Sequence, residues 1–396
     1  MLHAPAGALV SLVVAMALAA AGATRGGAAT RAAPVRGVTR TAVVVAGLTA
    51  EPAGQGADVG ATARFQRSGR VGGRRIEYLG ARSLDDGTAA TRLAQQVFAV
   101  VPAVGVSVEA RTLADARVPF VGVAASEDWV GNRWGYGITG APPSARSPTA
   151  SPAWGIQLRA LLGTAGGKTV AIATDADAAA RAEARAARAS VRAVGFHAVV
   201  PVVVPTPFDA AAVASALATA APPPDAVLLL AAPARATAVA QQLAALGFTG
   251  TIGMDDELYS PSSPGPAAGL TILTTIAPLE ANTAALRKLV DDVHVVDPSA
   301  VITPSVVQGY FAADFFLAVL ARVGRHLDPA RFEAVANSAG FTYAVPATVG
   351  RSNWPAMHRQ AIPCGALAQS DGTAYVVAEP YRCGAPVAIG RRTRVR

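Results

Sequence analysis

The chain has 396 residues, of which 52% are hydrophobic and only 15% charged. That length exceeds one ordinary core, so two compact units are expected, and the apolar content excludes disorder as the main state. The formal charge is +8, but it resides entirely in the ends: Arg25, Arg31, Arg36 and Arg40 in residues 24–40, and Arg391, Arg392, Arg394 and Arg396 in residues 384–396. The body between them is neutral, which leaves no net charge to draw it to nucleic acid. The two basic ends read as solubilising tails.

Residues 1–23 carry no Lys, Arg, Asp or Glu. Leu9–Ala21 fits the apolar core of an export signal, with small residues around Ala19–Ala23 for cleavage, although the usual basic start is replaced by His3 alone. Secretion with loss of residues 1–23 is the expectation, and an uncleaved anchor is the alternative. No cysteine follows the apolar run, so no lipid anchor is expected, and no later segment is expected to span a membrane. In an exported chain the two cysteines, Cys364 and Cys383, read as one disulfide; two buried thiols are the alternative.

Order is expected from Thr41, after a flexible basic arm over residues 24–40. Thr41–Gly47 is a β-branched run, read as a buried strand. A Gly-containing loop and a helix near Ala57–Arg67 follow, then a strand over Arg74–Gly80. Thr88 is read as the cap of a helix reaching Phe98. Ala99–Val104 is a strand, Val108–Ala116 a helix and Pro119–Val123 a strand. Residues 140–152 are rich in Pro and Ser and read as a linker. The alternation then restarts: helix Ala153–Leu162, strand Lys168–Ala173, helix Ala176–Val194, strand Phe196–Val204, a helix capped by Asp209, strand Ala226–Leu230, helix Ala234–Leu246, and strands Thr251–Met254 and Leu270–Ile276. Each run implies a mostly parallel sheet covered on both faces. Beyond Pro278 the chain reads as three helices, and the alternation around Ser370-Asp371-Gly372 reads as a hairpin whose ends Cys364 and Cys383 would staple.

Catalytic patterns are scarce. There is no Gly-x-Ser-x-Gly, His-Glu-x-x-His or Cys-x-x-Cys, and the five histidines lack metal spacing. Asp85-Asp86 and Asp291-Asp292 read as solvated pairs. Gly54-Gln55-Gly56-Ala57-Asp58-Val59-Gly60 follows a strand and opens a helix, as a dinucleotide fingerprint would. Its last two glycines are one residue too far apart, and no acid ends the next strand. Those glycines read instead as close approaches of backbone.

The pieces together resemble the type I periplasmic-binding-protein family, and more narrowly the branched-chain or hydrophobic amino-acid-binding proteins of ABC transporters. Four stretches carry the resemblance: VVVAGLTAEPAGQGADVGA, RRIEYLGARSLDDGTAATRLAQQVF, VPFVGVAAS and TPSVVQGYFAADFFLAVL. It covers roughly residues 41–383 and implies an α/β fold of two lobes, each a mostly parallel sheet flanked by helices, with a ligand cleft between them and a C-terminal hairpin. The implied division is 41–150 with 278–342 for lobe 1, and 151–277 with 343–383 for lobe 2, with hinges near 140–152, 276–278 and 340–345. The resemblance assigns the polar head of a small solute to Ala124, Ala125 and Ser126, with Ser107 as a further hydroxyl and Asp255 (or Asp256) as the acid that meets an ammonium. Where aromatics are common in the family, this chain has Asp175–Ala179 and Ala231–Pro233, so the side-chain half of the pocket is altered. Trp129, Trp134, Tyr136 and Tyr259 lie on nearby loops; lobe packing is the first reading of each, and replacement of the lost apolar contact is the alternative. The function implied is capture of a solute, without cofactor or metal, by a secreted monomer that delivers it to an ABC permease. The alternatives are a secreted sensor or binding module of the same fold, and an exported enzyme.

Overall fold

The computed structural model describes residues 34–51, 54–198, 202–261 and 269–389. The expected signal peptide and the C-terminal arginines lie outside them. In chain order the first strands and helices are β1 (Ala42–Thr49), α1 (Ala57–Gln66), β2 (Arg70–Val71), β3 (Arg74–Ser83), α2 (Ala89–Gln96), β4 (Ala99–Val104), α3 (Glu109–Asp115), β5 (Phe120–Gly122) and β6 (Gly135–Gly137). There follow β7 (Thr149–Ala150), α4 (Ala153–Leu161), β8 (Thr169–Thr174), α5 (Ala178–Ala193), β9 (His197–Ala198), β10 (Val202–Val203), α6 (Ala210–Ala218), β11 (Ala226–Leu230), α7 (Pro233–Ala245), β12 (Thr251–Met254) and β13 (Leu270–Thr274). The chain closes with α8 (Ala284–Val296), α9 (Pro304–Val323), α10 (Pro329–Ala336), β14 (Thr342–Val345), β15 (Val349–Asn353), β16 (Cys364–Ser370), β17 (Tyr375–Cys383) and β18 (Val387–Ala388).

Two sheets organise the molecule. The first runs β2-β3-β1-β4-β5-β6, and the second β10-β8-β11-β12-β13-β16-β17 with β9 beside β8. Leaving aside β2 and the C-terminal hairpin, both repeat one order: second strand, first, third, fourth, fifth. Neighbours within that order are parallel. Strands β4, β8 and β11 are buried along their whole length, as runs covered by helices on both faces must be. Chain reversals come from local capping chemistry. Asp177, Asp209 and Thr303 each accept a backbone N–H in the first turn of α5, α6 and α9. Thr88 stands at the start of α2 but makes no such bond, because its hydroxyl donates to Asp86 instead.

Helix α9 is the spine of the first core. By length and mean hydropathy (1.5) it is long and apolar enough to cross a membrane, contrary to the sequence expectation, yet 67% of that apolar window is buried inside the protein. Phe311, Phe315 and Phe316 pack with Phe98, Phe332 and Phe341. A Cβ on Gly309 would lie 2.0 Å from the Ala57 carbonyl oxygen, and one on Gly60 1.9 Å from that of Val306. Those two glycines let α1 and α9 cross almost backbone to backbone, so Gly60 of the apparent fingerprint serves helix packing. Asp58 of the same stretch is also structural, accepting from the Tyr78 hydroxyl (2.6 Å) and the Ala81 amide (2.7 Å).

The chain passes between the two sheets three times, through residues 138–152, 275–283 and 354–363. The third passage departs from expectation. Tyr343, Val345, Val349, Trp354 and Ile362 belong to the core built around α9, so β14 and β15 stay with the first sheet and the return falls near 363. The first and third passages are tied together, the Ala141 amide donating to the Met357 and Gln360 carbonyls (both 3.0 Å) and Ile362 to Thr139 (2.9 Å), and the second is tied to the turn between β14 and β15 by Ala277 donating to Thr348 (2.9 Å). The residues 140–152 read as a linker therefore hold fixed partners.

Three further expectations are corrected. The inner part of the basic arm is docked: the Arg36 guanidinium donates to the Val97, Ala116 and Arg117 carbonyls. Asp292 is buried, not solvated, and meets Lys288, Arg67 and the Tyr310 hydroxyl. The C-terminal tail begins later than residue 384, because β18 pairs antiparallel with β7. The hairpin and its staple are as read: β16 and β17 are antiparallel, Cys364 stands opposite Cys383, and the two are disulfide-bonded.

Candidate functional site

In each sheet the order of strands reverses beside the first strand, so the loops there diverge and leave a crevice at the carboxyl edge. In the first sheet that crevice lies between β1 and β4. It is sealed by backbone: the Ala50 amide donates to the Val104 carbonyl (2.9 Å), and Gly105, at φ +72°, leaves room only for the Ala50 methyl.

The predicted first-lobe residues sit along this edge. Ala124 and Ser126 are half-buried and Ala125 is exposed. Ser126 opens a single tight turn, Glu127–Trp129, with its hydroxyl accepting from the Asp128 amide at 3.4 Å. Ser107, half-buried, stands between β4 and α3, and its amide donates to Glu109 (3.1 Å). The structure brings these loops together. The Trp129 indole N–H donates to the Val106 carbonyl (2.7 Å), and Arg111 of α3 pairs with Asp128 (2.5 Å). Trp129, Tyr136 and Tyr259 are packing residues, as read, at 2%, 0% and 7% exposure.

The second edge is chemically different. At its crevice, between β8 and β11, buried Asp175 accepts from the Ala232 amide (2.8 Å) and pairs with Arg235 (2.8 Å). The Arg235 guanidinium also lies 5.8 Å from the Phe208 ring centre. One strand further on, Asp255 follows β12 and accepts from the Glu257 amide (3.3 Å). No cation among the described residues pairs with it. Burial, then the neighbouring carboxyls of Glu183, Asp256 and Glu257, push Asp255 up to about 8. Glu183, on α5, is pushed up to about 7 by burial, then by Asp256, Glu257 and Asp177. Asp256 is raised by burial, although it accepts from the Thr275 hydroxyl (2.7 Å) and amide. Glu257 is raised by burial and by Asp256. This edge thus holds a carboxyl cluster short of positive charge.

Among the described residues no hydrogen bond or ion pair joins the Ser126 loop to the Asp255 loop. A cavity of about 30 Å³ lies by the second passage, lined by Asp256, Tyr259, Thr275, Leu279, Val307 and Gln308. It has room for a water or two and not for a solute. A wider concavity, about 530 Å³, opens at the opposite, amino edge of the second sheet near Lys168, Asp225 and Phe248, far along the strands from every predicted residue. No group of three or more His, Cys, Asp or Glu among the described residues is arranged to hold a metal ion.

The sequence reading missed Glu183, Arg235 and Phe208. Glu183 is one acid inside an Ala/Arg helix and carries no local signal. The Asp175–Arg235 pair spans 60 residues of sequence, and only the parallel pairing of β8 with β11 places its loops side by side.

Two doubly wound sheets joined by three passages, with loops gathered at the carboxyl edges, define the two-lobed type I periplasmic-binding-protein fold. A family model described as Periplasmic binding protein matches residues 42–374, and the chain belongs to that family. No curated protein matches it in sequence. Solved structures similar to it include a fatty acid ABC transporter substrate-binding protein from Thermomonospora curvata (TM-score 0.66, 18% identity, covering 88% of this chain and 94% of that one). A solute-binding protein of an R. palustris ABC transporter in complex with benzoate is similar at TM-score 0.61 and 17% identity (89% and 99% covered). A leucine binding protein from Thermotoga maritima matches at TM-score 0.61 and 17% identity (87% and 99% covered).

Proposed function

We propose that the protein captures a small amine-bearing solute between its two lobes, outside the cytoplasmic membrane, and presents it to an ABC permease. Family membership and the solute-binding and transport titles of its structural neighbours support the transport reading. The observation that carries the choice of solute is Asp255: a half-buried carboxyl at the carboxyl edge of the second sheet, among other acids and without a cation among the described residues. An ammonium placed there would form a charge-assisted hydrogen bond and relieve the repulsion among Asp255, Glu183 and Glu257. The first lobe would supply complementary, uncharged contacts. The backbone of Ala124 and Ala125 and the hydroxyls of Ser126 and Ser107 suit the polar head of an amino acid. Benzoate and fatty acids, named for two of the neighbours, would bring a carboxylate without an ammonium and would leave the acids unrelieved.

The lobes would close over the solute by rotation about the three passages. The chain acts in this reading as a secreted monomer and as a carrier, not a catalyst. The test is a thermal-shift panel on the chain from Thr24, with hydrophobic, polar and basic amino acids, amides, aromatic acids and sugars. Saturation at about a thousand times the dissociation constant adds about 4 kcal/mol, a rise of several degrees. The expected result is a shift with amino acids that Asp255→Ala abolishes. A shift confined to aromatic or aliphatic acids overturns the choice of solute, and silence across the panel overturns the carrier role.

A further inference from the structure

The C-terminal strand is placed where it controls a passage between the lobes. After the disulfide at Cys383 the chain turns at Gly384, whose amide donates to the Pro363 carbonyl (2.9 Å). It then lays Val387 and Ala388 antiparallel against Ala150 and Thr149, and the Ile389 amide donates to the Pro148 carbonyl (3.0 Å). Residues 148–150 are the end of the first passage, immediately before α4. The other end, Thr139–Ala141, is held separately by residues 357–362. Between the two clamps only residues 142–147 are left without a strand partner. That stretch is folded on itself, Ser144 and Ser147 bonding to each other, and it reaches back to the first-lobe site through the Ala145 amide and Glu127 (3.4 Å).

We propose that residues 384–389 are a strap that fixes the second-lobe end of the first passage and confines its bending to residues 142–147. The strap is anchored at the disulfide-bonded end of β17, so it moves with the second sheet. With the strap in place, rotation between the lobes must be absorbed next to the Glu127 turn that Ser126 opens. With the strap lifted, the flexible length extends to Pro152 and the lobes explore a wider range of openings. The inference rests on the two-lobed closing motion proposed above and on no particular solute.

The experiment compares four chains: full length, one ending at residue 389, one ending at Gly384, and Ile389→Pro, which removes the amide bonded to Pro148 while keeping the tail. Hydrogen exchange of peptides covering 146–151 reads the strap directly. Spin labels at Val295→Cys and Leu246→Cys, exposed positions on α8 and just after α7, read the spread of lobe openings without solute; no described cysteine is free to interfere. Full-length protein and the chain ending at 389 should behave alike. The chain ending at 384 and Ile389→Pro should exchange at least about tenfold faster over 146–151 and give a broader distance distribution. Unchanged exchange, or faster exchange with an unchanged distance distribution, overturns the proposal. Failure of solutes to bind would count against the carrier reading and leave both readouts intact.

Discussion

The two carboxyl edges are built on the same strand order and do opposite things with it. At the first, the crevice beside β1 is closed by Ala50 against Gly105, and what lines the edge is backbone, two half-buried serine hydroxyls and an Arg111–Asp128 pair whose charges offset each other. At the second, the crevice beside β8 is filled by the Asp175–Arg235 pair, and next to it stands a carboxyl cluster without a cation. A repeated topology fixes where a site can be and leaves its chemistry to the loops. On the reading proposed above, the first edge would recognise shape and hydrogen bonds and the second would recognise charge.

The largest effect that sharpens this contrast concerns packing. The first lobe depends on the α1–α9 crossing, so Gly309→Leu, which drives a side chain into the Ala57 carbonyl, should cost about 3 kcal/mol or more and leave little folded protein. Circular dichroism melts would show it, and a near-normal melt would mean that α1 and α9 can separate cheaply. Removing the second-lobe staple by Cys364→Ser with Cys383→Ser should cost about 2–4 kcal/mol in urea unfolding.

The lobes should also answer pH in opposite senses. In the first, His358 is buried against Tyr136 and Trp354, and burial, then Arg133 and Arg359, lowers it to about 4. Its unfolded value is near 6.5, so the folded state binds fewer protons and loses stability as pH falls from about 6.5 toward 4. His358→Gln should flatten that limb. In the second, Asp255 and Glu183 are raised, so the folded state holds more protons than the unfolded chain. Stability of the solute-free protein should therefore fall as pH rises from about 4 to 8, the only one of the two effects acting above 6.5. Asp255→Asn should stabilise the protein at pH 8 by about 1 kcal/mol or more, and Glu183→Gln should act in the same direction. If both variants melt with the wild-type pH profile, the acids are not coupled. Smallest of all, Ser126→Ala should weaken solute binding by about 1 kcal/mol, roughly fivefold. Ser107→Ala should weaken it by a similar amount, about 1 kcal/mol, since its hydroxyl is given the same role.

Much of the fold was legible because its signals are local. The buried runs at Ala99–Val104 and Ala226–Leu230, the Asp and Thr caps and the hairpin around Ser370-Asp371-Gly372 each announce themselves within a few residues. What escaped reading depends on partners distant in sequence. The strands Val349–Asn353 and Val387–Ala388 are short and weakly patterned, and they exist because Thr342–Val345 and Thr149–Ala150 lie alongside them. Asp292 looks like an ordinary surface acid until Arg67 and Tyr310 meet it from two other segments. Of the candidate site, Asp255 (or Asp256) was named only because the family resemblance implies an acid after a second-lobe strand. The acids that raise it were visible only in part: Asp256 and Glu257 are its neighbours in sequence, whereas Glu183 reaches it through the packing of α5.

The most direct test of the charge asymmetry is calorimetric titration with the amino acid that gives the largest thermal shift, at pH 6 and at pH 8, on wild type and Asp255→Asn. Binding an ammonium requires Asp255 to be ionised. Wild-type affinity should therefore rise between pH 6 and 8 with release of a proton, and Asp255→Asn should bind at least about tenfold more weakly with little pH dependence. Affinity that is independent of pH in the wild type, or undiminished in Asp255→Asn, would contradict the assignment of the second edge as the charge-reading half of the site.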